Sequence, residues 1–196
     1  MTGIPMTIEP LLSALNAYIP WNEQEMADRD EMIRLIRTCP DIFTRDNHFA
    51  HMTASSWIVN QSRTKVLMVY HNIYKSWAWT GGHADGETDL LAVALREAKE
   101  ETGIRHVRPL SGDIFSLEIL TVDGHEKRGK YVSSHLHLNL TYLLEADEQD
   151  VLTQKPDENS GVAWFTPKQA ILASTEPWFC ARIYSKLNRK LFGEAA

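Results

Sequence analysis

The chain has 196 residues, a formal net charge of −6, 43% hydrophobic and 23% charged residues. This length fits one domain able to bury a sizeable core, and the acidic balance excludes a broad nucleic-acid-binding face, which needs a basic surface. Cys39 and Cys180 make neither a disulfide framework nor a metal-ligand spacing, so a reducing, cytoplasmic setting is expected. The first residues, MTGIPMTIEPLL, lack the basic-then-apolar order of a secretory signal, and no apolar run is long enough to cross a bilayer.

Residues 1–48 read as an N-terminal helical extension, set apart from a domain over 49–196. Leu11, Leu12, Leu15 and Tyr18 fall at helical spacing before Pro20. Asn22 is a capping residue for a second helix from Glu23 to Thr38, which Cys39-Pro40 ends. The plainer reading is a helical hairpin packed on the domain; the sharper one is a homodimer surface or a lid. His51–Asn60 and Lys65–His71 read as strands joined by the polar turn at 60–64. Residues 72–80 then lead to Gly81-Gly82.

From Gly81 to Ile104 the chain reads GGHADGETDLLAVALREAKEETGI. The glycines allow a tight turn and close approach of backbone to an anion. A helix follows over about 88–102, stopped by Gly103. Leu91, Ala94, Leu95 and Ala98 are expected to face a sheet, while Leu90 and Val93 lie on the side of the acidic residues. Glu97, Glu100 and Glu101 then form one carboxylate patch. Like charges at i,i+4 repel, and the C-terminal end of a helix is already negative. Arg96 offsets part of this charge at most. A hard divalent cation suits such oxygen ligands.

Beyond the helix, 114–122 alternates as a strand, 123–130 reads as a polar loop, and 131–145 reads as one long strand. Its faces are Leu136, Leu138, Leu140, Tyr142 and Leu144 against Ser133, His135, His137, Asn139 and Thr141. His135 and His137 share a face, but no third ligand stands at a telling spacing, so zinc is not expected. An acidic loop at 146–160 precedes a strand at 161–165. Thr166-Pro167 opens a helix, and 178–192 reads as a terminal one.

The stretch 81–104 resembles the Nudix box, G-x5-E-x7-R-E-U-x-E-E-x-G-U, where U is a bulky aliphatic residue. Counted from Gly82, the chain supplies Arg96, Glu97, Glu100, Glu101, Gly103 and Ile104. It departs at Thr88, where the family glutamate is displaced to Glu87, and at Ala98, which is small. Glu87 or Asp85 takes the structural role of the missing glutamate. The resemblance covers about residues 50–170 and implies an α+β fold, an α/β/α sandwich around a mixed sheet.

It further implies a Mg2+-dependent hydrolase, with Mn2+ as a substitute ion, cleaving a pyrophosphate bond in a nucleoside diphosphate linked to another moiety. Glu97, Glu100 and Glu101 are the implied metal ligands, and Arg96 orients glutamates, with Glu87 its expected partner. The general base is either a box glutamate or a loop glutamate, for which Glu158 is the candidate. Gly81, Gly82, His83 and Trp77 are expected at the substrate, although an exposed turn histidine and core tryptophans, including Trp57, Trp79 and Trp164, are the plainer readings. The expected partner is a small nucleotide, neither a nucleic acid polymer nor a membrane. Two other readings stand beside this one: a nucleotide-metabolite binding module without hydrolysis, and an isopentenyl-diphosphate isomerase, which requires a cysteine in the core domain.

Overall fold

A computed structural model describes residues 8–127 and 129–193. Helix α1 spans Glu9–Ala17 and buries Leu11, Leu12 and Leu15. Helix α2 spans Glu23–Thr38, and the Asn22 side chain accepts a hydrogen bond from Glu25 N, as its capping chemistry predicts. The strands are β1 (Ala50–Asn60), β2 (Val66–His71), β3 (Ser76–Ala78), β4 (Thr80–His83), β5 (Val107–Pro109), β6 (Ser116–Val122), β7 (His125–Lys127), β8 (Lys130–Val132), β9 (His135–Ala146) and β10 (Asn159–Phe165). Helix α3 spans Leu90–Thr102, α4 Pro167–Ala173, α5 Pro177–Phe179 and α6 Ser185–Phe192.

The fold is α+β, a mixed sheet flanked by helices, with strand order β10-β2-β1-β9-β5; β3 joins β2, β4 joins β1 and β6 joins β9. Chain contacts divide it into a first unit within residues 1–55, 82–93 and 113–142, and a second within 56–81, 94–112 and 143–196. The first unit holds the antiparallel pair β6·β9, registered from Ser116 opposite Thr141 to Val122 opposite His135. The second holds β1·β2, β2·β3, β2·β10 and β5·β9, all antiparallel. Among the described residues no helix is long and apolar enough to cross a membrane.

Several elements differ from the reading of the sequence. The polar loop at 123–130 closes as the small hairpin β7·β8, and the long strand expected from Tyr131 is interrupted at Ser133-Ser134. The terminal helix contains a π-helical turn at Cys180–Tyr184. In α3 the buried stripe is Leu90, Val93, Ala94, Ala98 and Glu101, with Leu91 and Leu95 only half-buried. Spacings of three, four, eight and eleven residues from Leu90 place all of these on one helical face. The inward side of α3 thus carries carboxylate chemistry.

Both faces of β9 are enclosed, including the polar one, and burial of polar groups requires partners. In the first unit Thr53 and Ser55 donate to Asn139 Oδ1 at 3.0 and 2.8 Å. Asn139 Nδ2 and Thr141 Oγ1 donate to Glu118 Oε2 at 3.2 and 3.1 Å, and Ser116 donates to Glu118 Oε1. Ser116 also hydrogen-bonds Glu25 Oε1 at 2.9 Å, while Tyr18 OH and Trp21 N donate to Glu25 Oε2, each at 2.7 Å. Glu25 is 0% exposed, so α2 is anchored on β6 through a buried carboxylate. Glu25→Ala removes the acceptor of Trp21 N, the shorter acceptor of Tyr18 OH and the link from Ser116 to α2. It is expected to lower unfolding free energy by about 2–4 kcal/mol in urea titration, whereas an exposed glutamate such as Glu23 changes it by less than about 0.5 kcal/mol.

Candidate metal centre

The loop ahead of α3 is held by its own acids. Asp85, at φ 48°, receives both Arg45 hydrogen bonds at 2.7 and 2.9 Å. Glu87 Oε1 accepts from Thr88 N and Asp89 N at 2.8 and 2.9 Å, and Asp89 caps the helix by accepting from Ala92 N at 3.0 Å. At the other end Gly103 adopts φ +74°, and its N–H donates to Lys99 O. A Cβ there would lie 1.8 Å from Thr153 Oγ1, so only glycine lets the 153 segment approach, where Thr153 N donates to Thr102 O at 2.8 Å.

That approach brings in a second acidic segment. Asn159 Nδ2 donates to Glu101 O at 2.9 Å, and Asn159 N and Glu158 N both donate to Lys155 O at 2.8 Å. The tight turn at 155–159 is therefore pinned to the last turn of α3. Its consequence is a group of converging carboxylates: one oxygen each from Glu97, Glu101 and Glu158, all within 4.8 Å of one another. Glu101 is 5% exposed, while the Glu158 side chain is 42% exposed.

Charge in this group is only partly balanced. Arg96 Nη2 donates to Glu97 Oε1 at 3.0 Å, and Lys155 Nζ lies 3.1 Å from Glu158 and 3.2 Å from Glu100. Burial pushes the Glu101 carboxyl up to about 8; the charges of Glu97 and Glu158 add to it, against the Gly81 N–H and Lys155. Burial also raises Glu97, with Arg96 opposing. Lys155 sits above its ordinary value: burial pulls it down, and the hydrogen bonds to Glu158 and Glu100 outweigh that. An all-carboxylate donor set with unrelieved repulsion fits a hard divalent cation.

Glu100 stands outside the converging group, engaged by Lys155 and 3.9 Å from Arg96 Nε. Gly81 N donates to Glu101 Oε1 at 3.2 Å, so this backbone donor meets the carboxylate. Gly82 lies half-buried on β4. Trp77 packs edge-on against Tyr70 and Phe165, with ring centroids 5.7 and 4.8 Å away. Trp57 is fully buried against Tyr184, and Trp79 packs on Phe179 and Tyr184. Nothing in the sequence marks Lys155 and Asn159, which stand in an acidic loop.

His83 belongs to another group, in the first unit. One ring nitrogen each from His51, His83 and His137 lies within 4.8 Å of the others. His135 Nε2 is 3.1 Å from His137 Nε2. No third ligand stands at a telling spacing in the sequence; in the structure further imidazoles arrive from the start of β1 and the end of β4. Burial, then His83, His51, His135 and His125, drives His137 down to about 2, and burial lowers His51 against the carbonyl of Asn47.

The NUDIX domain profile matches residues 50–187. The chain belongs to the NUDIX family. This NUDIX protein is 35% identical over 86 residues to a CMP-5'-(N-acetyl-N-hydroxy-3-aminopropyl)phosphonate hydrolase of Streptomyces rubellomurinus, covering 37% of this chain and 42% of that relative. It is 23% identical over 143 residues to a probable DHNTP pyrophosphohydrolase of Lactococcus lactis subsp. cremoris, covering 72% of this chain and 81% of that one. Among solved structures, a C. elegans Ap4A hydrolase binary complex aligns at TM-score 0.48 with 19% identity, over 71% of this chain and 93% of that one.

The raised Glu101 carboxyl has a consequence for the metal-free protein. Its folded value of about 8 lies above the ordinary 4.5, so between these pH values the folded state holds the proton more tightly than the unfolded state. Stability is therefore expected to fall as pH rises from about 4.5 to 8, by up to a few kcal/mol. Urea unfolding of chelator-treated protein across this range measures it; Glu101→Gln flattens the dependence and raises stability at pH 8.

Proposed function

We propose that this NUDIX protein hydrolyses a phosphoanhydride bond in a nucleoside diphosphate linked to another moiety, with Mg2+ or Mn2+ held by Glu97, Glu101 and Glu158. The observation that carries the reading is the convergence of these carboxylates around buried Glu101. Such an ion, when bound, offsets the negative charge of the pyrophosphate and acidifies water. Arg96 orients Glu97 through its 3.0 Å hydrogen bond. The Gly81 N–H fixes the position of the Glu101 carboxylate. Glu158, the more exposed of the acids, takes the proton of the attacking water. Lys155 and Glu100 form the rim, where a lysine ammonium meets the outer phosphate oxygens. The names of the relatives support a phosphorus-centred hydrolysis and differ in the substrate they carry.

The isomerase reading finds no support in the thiols. Cys180 Sγ is turned to the carbonyls of Ile171 and Ser174, and among the described residues no cysteine joins either converging group. A substrate panel tests the proposal: ADP-ribose, nucleoside triphosphates, dinucleoside polyphosphates, CMP conjugates and dihydroneopterin triphosphate, each with Mg2+ and with chelator. Phosphate or nucleotide release that requires Mg2+ is expected. Glu101→Gln is expected to lower kcat by about a hundredfold or more, and Glu158→Gln by about a hundredfold with a shifted pH profile. Equal rates for wild type and Glu101→Gln overturn the assignment, and tight binding of a panel member without turnover replaces it with a binding module.

A further inference from the structure

Four imidazoles meet in the first unit, from segments far apart in the chain, and one of their nitrogens, on His51, is left unpaired. His51 is 5% exposed. Its Nδ1 lies 3.1 Å from the Asn47 carbonyl, to which only an N–H can donate, so Nε2 carries the lone pair. That Nε2 is buried with no hydrogen-bond partner. A buried acceptor left unpaired is destabilising, and the group calls for an explanation, such as a bound ion. Asn47 is itself braced: its Oδ1 accepts from Phe49 N and Ala50 N at 3.2 and 3.0 Å, and its Nδ2 donates to Asp41 at 2.9 Å. On β9 the pattern recurs. His135 Nδ1 donates to the Ser133 carbonyl at 2.8 Å, leaving Nε2 basic and 3.1 Å from His137 Nε2.

A ring whose outer nitrogen donates to a carbonyl while its inner nitrogen faces a cluster of like rings has the arrangement of a metal-binding histidine and its orienting partner. The rings of His51, His83 and His137 stand 5.0 to 5.1 Å apart, centroid to centroid, with ligand nitrogens within 4.8 Å. Around a tetrahedral ion with bonds of about 2.0–2.1 Å, ligand nitrogens lie about 3.4 Å apart, so side-chain rotation of about an ångström closes the group. His83 and His137 are only half-buried, which leaves a path for the ion.

We propose that His51, His83 and His137 form a transition-metal site that takes Zn2+, with His135 orienting His137. An all-imidazole set selects a borderline ion such as zinc over Mg2+, which prefers oxygen. The site rests on its own residues, and its test does not depend on catalysis.

The experiment uses the full chain, stripped with chelator and titrated with Co2+ as a coloured stand-in for Zn2+. Roughly one equivalent is expected to give the intense visible bands of a tetrahedral nitrogen site, and Zn2+ displaces it. His83→Gln and His137→Gln are each expected to weaken binding by at least about a hundredfold, with folding checked by circular dichroism. Glu97→Gln/Glu101→Gln is expected to leave the bands unchanged. Because a histidine-to-glutamine change can unsettle this packed region, His83→Cys gives a positive readout: it adds a thiolate-to-Co2+ charge-transfer band. Absence of tetrahedral bands in the wild type, bands lost in the double glutamate variant but kept in His137→Gln, or no charge-transfer band in folded His83→Cys each overturn the proposal.

Discussion

The candidate centre depends on one crowded arrangement, the meeting of Glu97, Glu101 and Glu158 where α3 ends. Like charges at a helix C-terminus gain nothing from the helix dipole, and burial of Glu101 makes the penalty larger. The structure accepts this because rigid contacts hold both sides. Gly103 permits the crossing of the 153 segment, and Asn159 ties the 155–159 turn to the backbone of Glu101. A relaxed fold would let the carboxylates separate into water. Here hydrogen bonds to the backbone prevent it, and in the metal-free protein the raised Glu101 carboxyl relieves part of the repulsion by holding a proton, a place that the proposed cation would take.

The same economy of polar groups shapes the first unit. The polar face of β9 is enclosed, and Asn139, Thr141 and Glu118 satisfy one another along the strand pair. Glu25 then extends the network to α2. Farther along the same strand His135 and His137 pair through their Nε2 atoms, whereas on β1 His51 Nε2 is left unpaired. The saturated network stabilises the fold, while the unpaired His51 Nε2 is the polar group that the proposed zinc site would satisfy.

Local chemistry in this chain is read from local sequence. The span of α2, its Asn22 cap, the Gly103 stop and the Thr166 capping box of α4 all follow from backbone donors and acceptors within a few residues. The glutamate spacing in α3 is of the same kind, since a helix of known pitch places Glu97 and Glu101 on one side. That spacing also made the family legible. The buried stripe of α3 was harder to read, because Leu91 and Leu95 look as apolar as Leu90 and only packing decides which of them turns inward.

By itself, the sequence determined an α+β chain with a glycine turn, a helix bearing paired glutamates and a resemblance to the Nudix box. Tertiary structure alone decided which acids converge: Glu158 enters with Glu97 and Glu101, whereas Glu100, adjacent in sequence to Glu101, is engaged by Lys155. It alone brought His51 and His83 to the strand pair His135 and His137. The physical reason is range. Helix pitch and caps are set by neighbours three or four residues away. The meeting of residues 51, 83 and 137, or of 101 and 158, depends on how segments far apart in the chain pair and pack, and polar residues carry no periodic pattern that announces it.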